Sequence, residues 1–62
     1  MNKYPQYYDV NDTPVVVEYD AKTDEVFAKT AWGADYILGK ILSDGHKITK
    51  EEFDRMAKHE TI

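Results

Sequence analysis

The run Asp44-Gly45-His46-Lys47-Ile48-Thr49-Lys50-Glu51-Glu52-Phe53 holds the densest set of side chains that could do chemistry. Carboxylates, a hydroxyl and an imidazole this close together suggest a calcium loop, in which oxygen ligands recur at alternate positions and a bidentate glutamate closes the site. With Glu52 at the closing position, Ile48 takes the loop's hydrophobic position. The earlier positions then fall on Ile41, Ser43 and Gly45, and His46 stands where the sharp turn needs glycine. A single weak oxygen ligand does not hold calcium. The same residues satisfy another grammar, that of a helix start. Thr49 is a cap residue with Glu52 three positions on, and Ile48 and Phe53 bracket the cap at hydrophobic-staple spacing.

Other candidate chemistries are equally thin. His46 and His59 are the only histidines, one in a turn between helices and the other in a last helical turn. A zinc or catalytic site needs such groups to converge on a third ligand, so both are expected to be solvated. The chain has no cysteine, which excludes disulfides, thiolate metal sites and a cysteine nucleophile. Ser43, the only serine, reads as helix-end punctuation, and no glycine-rich phosphate loop is present. The expectation is a non-enzymatic chain with no catalytic residue, no cofactor and no bound metal.

Charge narrows the partners. Twelve acidic against eight basic residues leave a net charge of −4, and the basic residues are scattered, with Arg55 the only arginine. Nucleic acid binding depends on clustered Lys and Arg, so a module that stacks bases on its sheet aromatics is the weaker alternative. No apolar run approaches the roughly 20 residues of a membrane span, and the start Met-Asn-Lys-Tyr-Pro lacks a signal peptide's apolar stretch. A cytoplasmic location without membrane association is expected.

The elements follow from pattern. Met1 to Tyr8, with Pro5 among Tyr4, Tyr7 and Tyr8, reads as extended, and Tyr7 to Val10 as an edge strand ending in the turn Asn11-Asp12-Thr13-Pro14. Val15 to Tyr19 and Glu25 to Thr30 form a hairpin, with Asp24 taking the left-handed position before the second strand. That loop pairs Asp20 with Glu25, Val17 with Ala28 and Val15 with Thr30. Strand alternation then collects Val15, Val17, Tyr19, Val26, Ala28 and Thr30 on a core face. Val16, Glu18, Asp20, Glu25, Phe27 and Lys29 share the other.

Beyond the break Ala31-Trp32-Gly33, an apolar stripe at Ala34, Ile37, Leu38, Ile41 and Leu42 predicts a helix ending at Ser43-Asp44, with Gly45 as a left-handed cap. A second helix runs from Lys50 to about His59 and buries Phe53, Met56 and Ala57. The expected fold class is α+β: a small antiparallel β-meander of two or three strands followed by two helices packed on one face. All of it forms a single domain over residues 1–62. Trp32 and Tyr19 are expected to complete so small a core.

Function rests on the remaining aromatics. Tyrosine and tryptophan anchor protein interfaces, and Phe27 with Val16 among charges needs either a cover or a partner. The expected docking set is Val16, Glu18, Phe27, Tyr4, Tyr7 and Tyr8, with the two clusters either covering each other or forming one binding face. The acidic rim would steer a basic protein partner. An open sheet edge can also recruit a second copy, so homodimerisation stays open. The expected function is that of a small acidic inhibitor or adaptor, of the type carried by phages and mobile elements; that association rests on size and acidity alone.

Overall fold

Two turns set the centre of the sheet. Asn11 and Asp12 both have positive φ, 51° and 69°, so Gln6–Val10 (β1) and Thr13–Asp20 (β2) are joined by a two-residue mirror-image turn whose twist matches that of the strands. Asp9 fixes this turn by accepting the Asp12 amide on its carboxylate at 2.9 Å. At the other end of β2, Asp24 takes φ 58° and donates its amide to the Asp20 carbonyl. The Asp20 carboxylate meanwhile accepts the Lys22 amide at 2.9 Å. This loop pairs β2 with Glu25–Thr30 (β3) in the expected register, Asp20 opposite Glu25 through Val15 opposite Thr30.

The computed structural model describes residues 3–59. Met1, Asn2 and the side chain of His59, which enter the expectations above, lie outside the described residues.

Over the described residues the fold is α+β, a five-stranded antiparallel sheet with two short helices, rather than a meander of two or three strands followed by two helices. Two additional strands account for the difference. Asp35–Tyr36 (β4) pairs with Ala28 and Lys29 on the outer edge of β3, and Gly45–Ile48 (β5) pairs with β1 from Tyr7 to Val10. The sheet order is therefore β4-β3-β2-β1-β5, and β1, expected at an edge, lies inside. Two-residue and four-residue edge strands leave little backbone open for uncontrolled pairing.

Residues 34–36 were expected in the first helix, but hydrogen bonds tie them to β3. The Thr30 amide donates to the Ala34 carbonyl at 2.8 Å, and the Thr30 hydroxyl accepts the Ala34 amide at 3.1 Å. Gly33, at φ 92°, makes the intervening turn. The helix is thus shortened to Leu38–Asp44 (α1), with Ile37 as a cap residue that offers no side-chain bond. Gly45 ends α1 in extended geometry, φ −90° and ψ 157°, and not as a left-handed cap. Glycine is required there for a different reason. A Cβ would lie 2.8 Å from the Ile41 carbonyl oxygen and 3.0 Å from Val10 Cγ2, so its absence lets α1 and β1 close on β5.

Lys50–His59 (α2) begins as expected. The Thr49 hydroxyl accepts the Glu52 amide at 3.1 Å, and the Glu52 carboxylate accepts the Thr49 amide at 3.4 Å, both halves of a capping box. The two helices do not share a face of the sheet. Ile41 of α1 joins Val10, Val15, Val17 and Ala28 in the buried core on one side. Phe53 of α2 meets Tyr7 on the other, ring centroids 4.7 Å apart. The chain changes sides by running along the sheet edge as β5, which the expected inter-helix turn did not include. A sheet with a helix on each face leaves less apolar surface exposed than the one-sided layer first expected.

Candidate functional site

Alternation along the paired strands assigns every docking candidate to a side. Tyr8, Val15 and Lys47 stand in one row, and Gln6, Val17, Ala28 and Tyr36 in the next, on the α1 face. Tyr7, Val16 and Lys29 stand in a row on the α2 face, with Glu18 opposite Phe27. Tyr4 precedes the strand and joins the α1 face, its ring stacked on Tyr19 with centroids 6.3 Å apart. The six expected residues therefore do not form one surface. Tyr4 and Tyr8 lie on one side, and Val16, Glu18, Phe27 and Tyr7 on the other.

On the α2 face the cover comes from within the fold. Tyr7 packs on Phe53, Val16 beside it is half-buried, and the Lys29 ammonium sits 5.6 Å above the half-buried Phe27 ring. The Trp32 indole donates to the Ala57 carbonyl at 3.4 Å, tying the 31–33 turn to α2. Trp32 and Tyr19 are 46% and 42% exposed, so neither completes the core as expected. Tyr19 fails to do so because it lies at the hairpin end, where its hydroxyl donates to the Asp24 carboxylate. That bond, with partial desolvation and the nearby Asp20 charge, raises the phenol above the ordinary tyrosine pKa.

The α1 face is more open. A groove of about 280 Å³ runs between α1 and the sheet, lined by Tyr4, Gln6, Tyr8, Val17 and Val26 from the sheet side and by Leu38, Ile41 and Leu42 from α1. Gln6 is held in place because its side-chain carbonyl accepts the Tyr8 hydroxyl at 2.8 Å. On the lip, Leu42 is 87% exposed, and Ile37 beside α1 is 74% exposed. Tyr4 also lines a second, more polar recess with Pro5, Glu18 and Tyr19.

The α1 residues that line the groove belong to the apolar stripe from which the sequence predicts a buried helix face. Ile37-Leu38 and Ile41-Leu42 are adjacent pairs, and neighbours on a helix point about 100° apart. A two-turn helix can bury only one member of such a pair against a flat sheet, so the pairs themselves were the available signal. Ile41 takes the buried place and Leu42 the solvent.

His46 on β5 lies 3.5 Å from the Asp9 carboxylate, its side chain well exposed. Among the described residues no three His, Asp or Glu side chains are grouped as metal ligands would be, and no helix is long and apolar enough to cross a membrane. No protein-family model, curated protein or solved structure matches this chain.

Proposed function

We propose that this chain is a small, non-enzymatic protein-binding module, an inhibitor or adaptor that acts by docking a protein partner in the groove between α1 and the sheet. The observation that carries the reading is Leu42. It is a large apolar side chain left 87% exposed beside an apolar groove, where any polar residue would serve the fold equally well. The groove is smaller than the roughly 300–1,000 Å³ of small-molecule sites, but it is ample for one or two anchoring side chains. Tyr4 and Tyr8 supply amphipathic aromatic contact area along its wall.

This reading keeps Tyr4 and Tyr8 from the expected docking set and replaces Val16, Glu18, Phe27 and Tyr7 with Leu38 and Leu42. The test is affinity capture from cells of the native source with tagged wild type, Leu42→Ser and the α2 control Glu51→Gln, each shown to be folded by circular dichroism. A protein retained by wild type and control but lost by Leu42→Ser supports the groove. Equal retention by all three moves the docking surface elsewhere.

A further inference from the structure

We infer, on the strength of the docking reading above, that the partner held in the α1 groove is a second copy of this chain, the two packed about a two-fold axis with each Leu42 in the other's groove. A closed pair of this kind needs one surface that fits itself, so that every contact made from one copy to the other is also made in reverse. The α1 face carries both halves of such a fit. Leu42 stands out from α1 into solvent, and beside it lies an apolar recess walled by Tyr4, Tyr8, Val17 and Val26. Two copies related by the axis use the projection and the recess of each at once.

Strand alternation removes the obstacle that a net charge of −4 would otherwise present to self-association. All five carboxylates carried by the strands, Asp9, Glu18, Asp20, Glu25 and Asp35, fall on the α2 face, where Glu18 stands opposite Phe27, Asp20 opposite Glu25 and Asp35 opposite Lys29. The strand positions on the α1 face hold one charge, Lys47, on the edge strand β5. On α1 itself, Lys40 and Asp44 lie two residues to either side of Leu42, about 200° around the helix from it. Asp24, in the hairpin turn, accepts the Tyr19 hydroxyl. Two copies therefore meet through a nearly uncharged surface with their acidic faces turned outward, without the like-charge contacts that oppose association.

The area is that of a weak dimer. Taking roughly 100 Å² for a fully exposed aliphatic side chain and about 200 Å² for a tyrosine, Leu42, Leu38 and Tyr19 with the half-buried Tyr4, Tyr8 and Val26 present on the order of 300 Å² of apolar surface per copy. With interfaces about 60% apolar, the pair buries on the order of 1,000 Å² in all, the lower bound for a specific interface and the range of transient ones. The core shows what association supplies. Val10, Val15, Val17, Ala28 and Ile41 are its buried apolar side chains among the described residues, few for a chain of 62, and chains this small often gain further burial by oligomerising.

The test is sedimentation equilibrium of the full chain from about 1 μM to 1 mM, alongside Leu42→Ser and the α2 control Glu51→Gln. Wild type and Glu51→Gln are expected to pass from monomer to dimer with a dissociation constant on the order of 10–100 μM, and Leu42→Ser to weaken the dimer at least about 10-fold. Raising salt from about 0.1 to 1 M should change the wild-type constant by less than about 3-fold, because no ion pair spans the interface. In a sample that mixes isotope-labelled and unlabelled chains, the Leu42 methyls should show magnetisation transfer to Tyr4, Tyr8 or Val26 of the other copy. Below the dissociation constant Leu42→Ser should melt where wild type does, and above it wild type alone should melt higher as concentration rises.

A wild type that stays monomeric at about 1 mM, a dimer indifferent to Leu42→Ser, or transfer between copies centred on Tyr7 and Phe53 would overturn the inference. If wild type is monomeric while the capture experiment retains a different protein that Leu42→Ser loses, the docking reading stands and the second copy does not. If no dimer forms and the capture experiment retains nothing, both fall.

Discussion

The three glycines should respond to alanine with different signs, and Gly45 gives the sharpest case. A Cβ there would sit 2.8 Å from the Ile41 carbonyl oxygen and 3.2 Å from the Ile41 Cα, inside the ~3.5 Å at which nonbonded atoms rest. The oxygen cannot simply retreat, because it accepts the Gly45 amide, and Val10 at 3.0 Å is fully buried. Overpacking of this kind costs about 1–3 kcal/mol, and loss of the helix-ending hydrogen bond would add about 1 kcal/mol. The alanine's stiffer unfolded chain returns less than about 1 kcal/mol. The net expectation for Gly45→Ala is about 2 kcal/mol of destabilisation. At roughly 4–8 °C per kcal/mol for a domain this small, the melting temperature should fall by about 8–16 °C. At Gly39 the nearest atom to an added Cβ is Ile37 Cγ2 at 3.9 Å, so Gly39→Ala gains helix propensity and should be stabilising by up to about 1 kcal/mol. Gly33→Ala meets no atom within 4 Å but inherits φ +92°, and should cost about 1 kcal/mol or more through backbone strain. Thermal unfolding followed by circular dichroism ranks the set. An unchanged melting temperature for Gly45→Ala would mean that α1 does not close on β5 and that the groove wall is not where the structure puts it.

Thr49→Ala should cost about 1 kcal/mol in urea denaturation by removing the acceptor of the Glu52 amide, and Thr49→Ser should restore most of it. Phe53→Ala should cost about 2 kcal/mol, less than the ~3–5 of a fully buried phenylalanine, because the ring is half-buried against Tyr7. A loss as large as the full value would show that α2 packs more deeply than described. The Tyr19 phenol should ionise above the ordinary value near 10, and Asp24→Asn should bring it down by removing the hydrogen bond that is the largest cause. Because the folded-state pKa is the higher one, this contribution to stability is fully present below about pH 10 and is lost as pH rises through the folded-state value. Carbon-13 tyrosine shifts followed against pH measure it.

Local structure was legible in the sequence wherever one short stretch carried all the instructions. The hairpin register followed from Asp24, whose left-handed backbone dictates the loop and hence every pairing from Asp20–Glu25 to Val15–Thr30. The α2 start followed from Thr49 and Glu52 for the same reason. What could not be read required distant partners. Gly45-His46-Lys47-Ile48 has little strand character of its own and becomes a strand because the outer edge of β1 accepts it. Asp35-Tyr36 lies within a helical stripe and is drawn out of it by the free edge of β3. Once β5 exists, the chain can pass from one face of the sheet to the other. The assumption of two helices on one face then fails, and Tyr4 and Tyr8 come to lie on the opposite side of the sheet from Val16, Phe27 and Tyr7, so that the two clusters neither cover each other nor share one face.

Leu42 separates what folding demands of α1 from what it does not. Ile41 is buried among Val10, Val15, Val17 and Ala28, so folding alone fixes it as apolar. Leu42, 87% exposed, removes little apolar area from water on folding, and at about 25 cal/mol per Å² its burial contributes almost nothing. Leu42→Ser should therefore change stability by no more than about 0.5 kcal/mol in urea denaturation, the range of ordinary surface substitutions. A loss of 2 kcal/mol or more would show that Leu42 is packed into the fold, which would close the groove and remove the docking surface. If stability is unchanged while binding is lost, then the apolar character of this position serves the partner rather than the chain's own core.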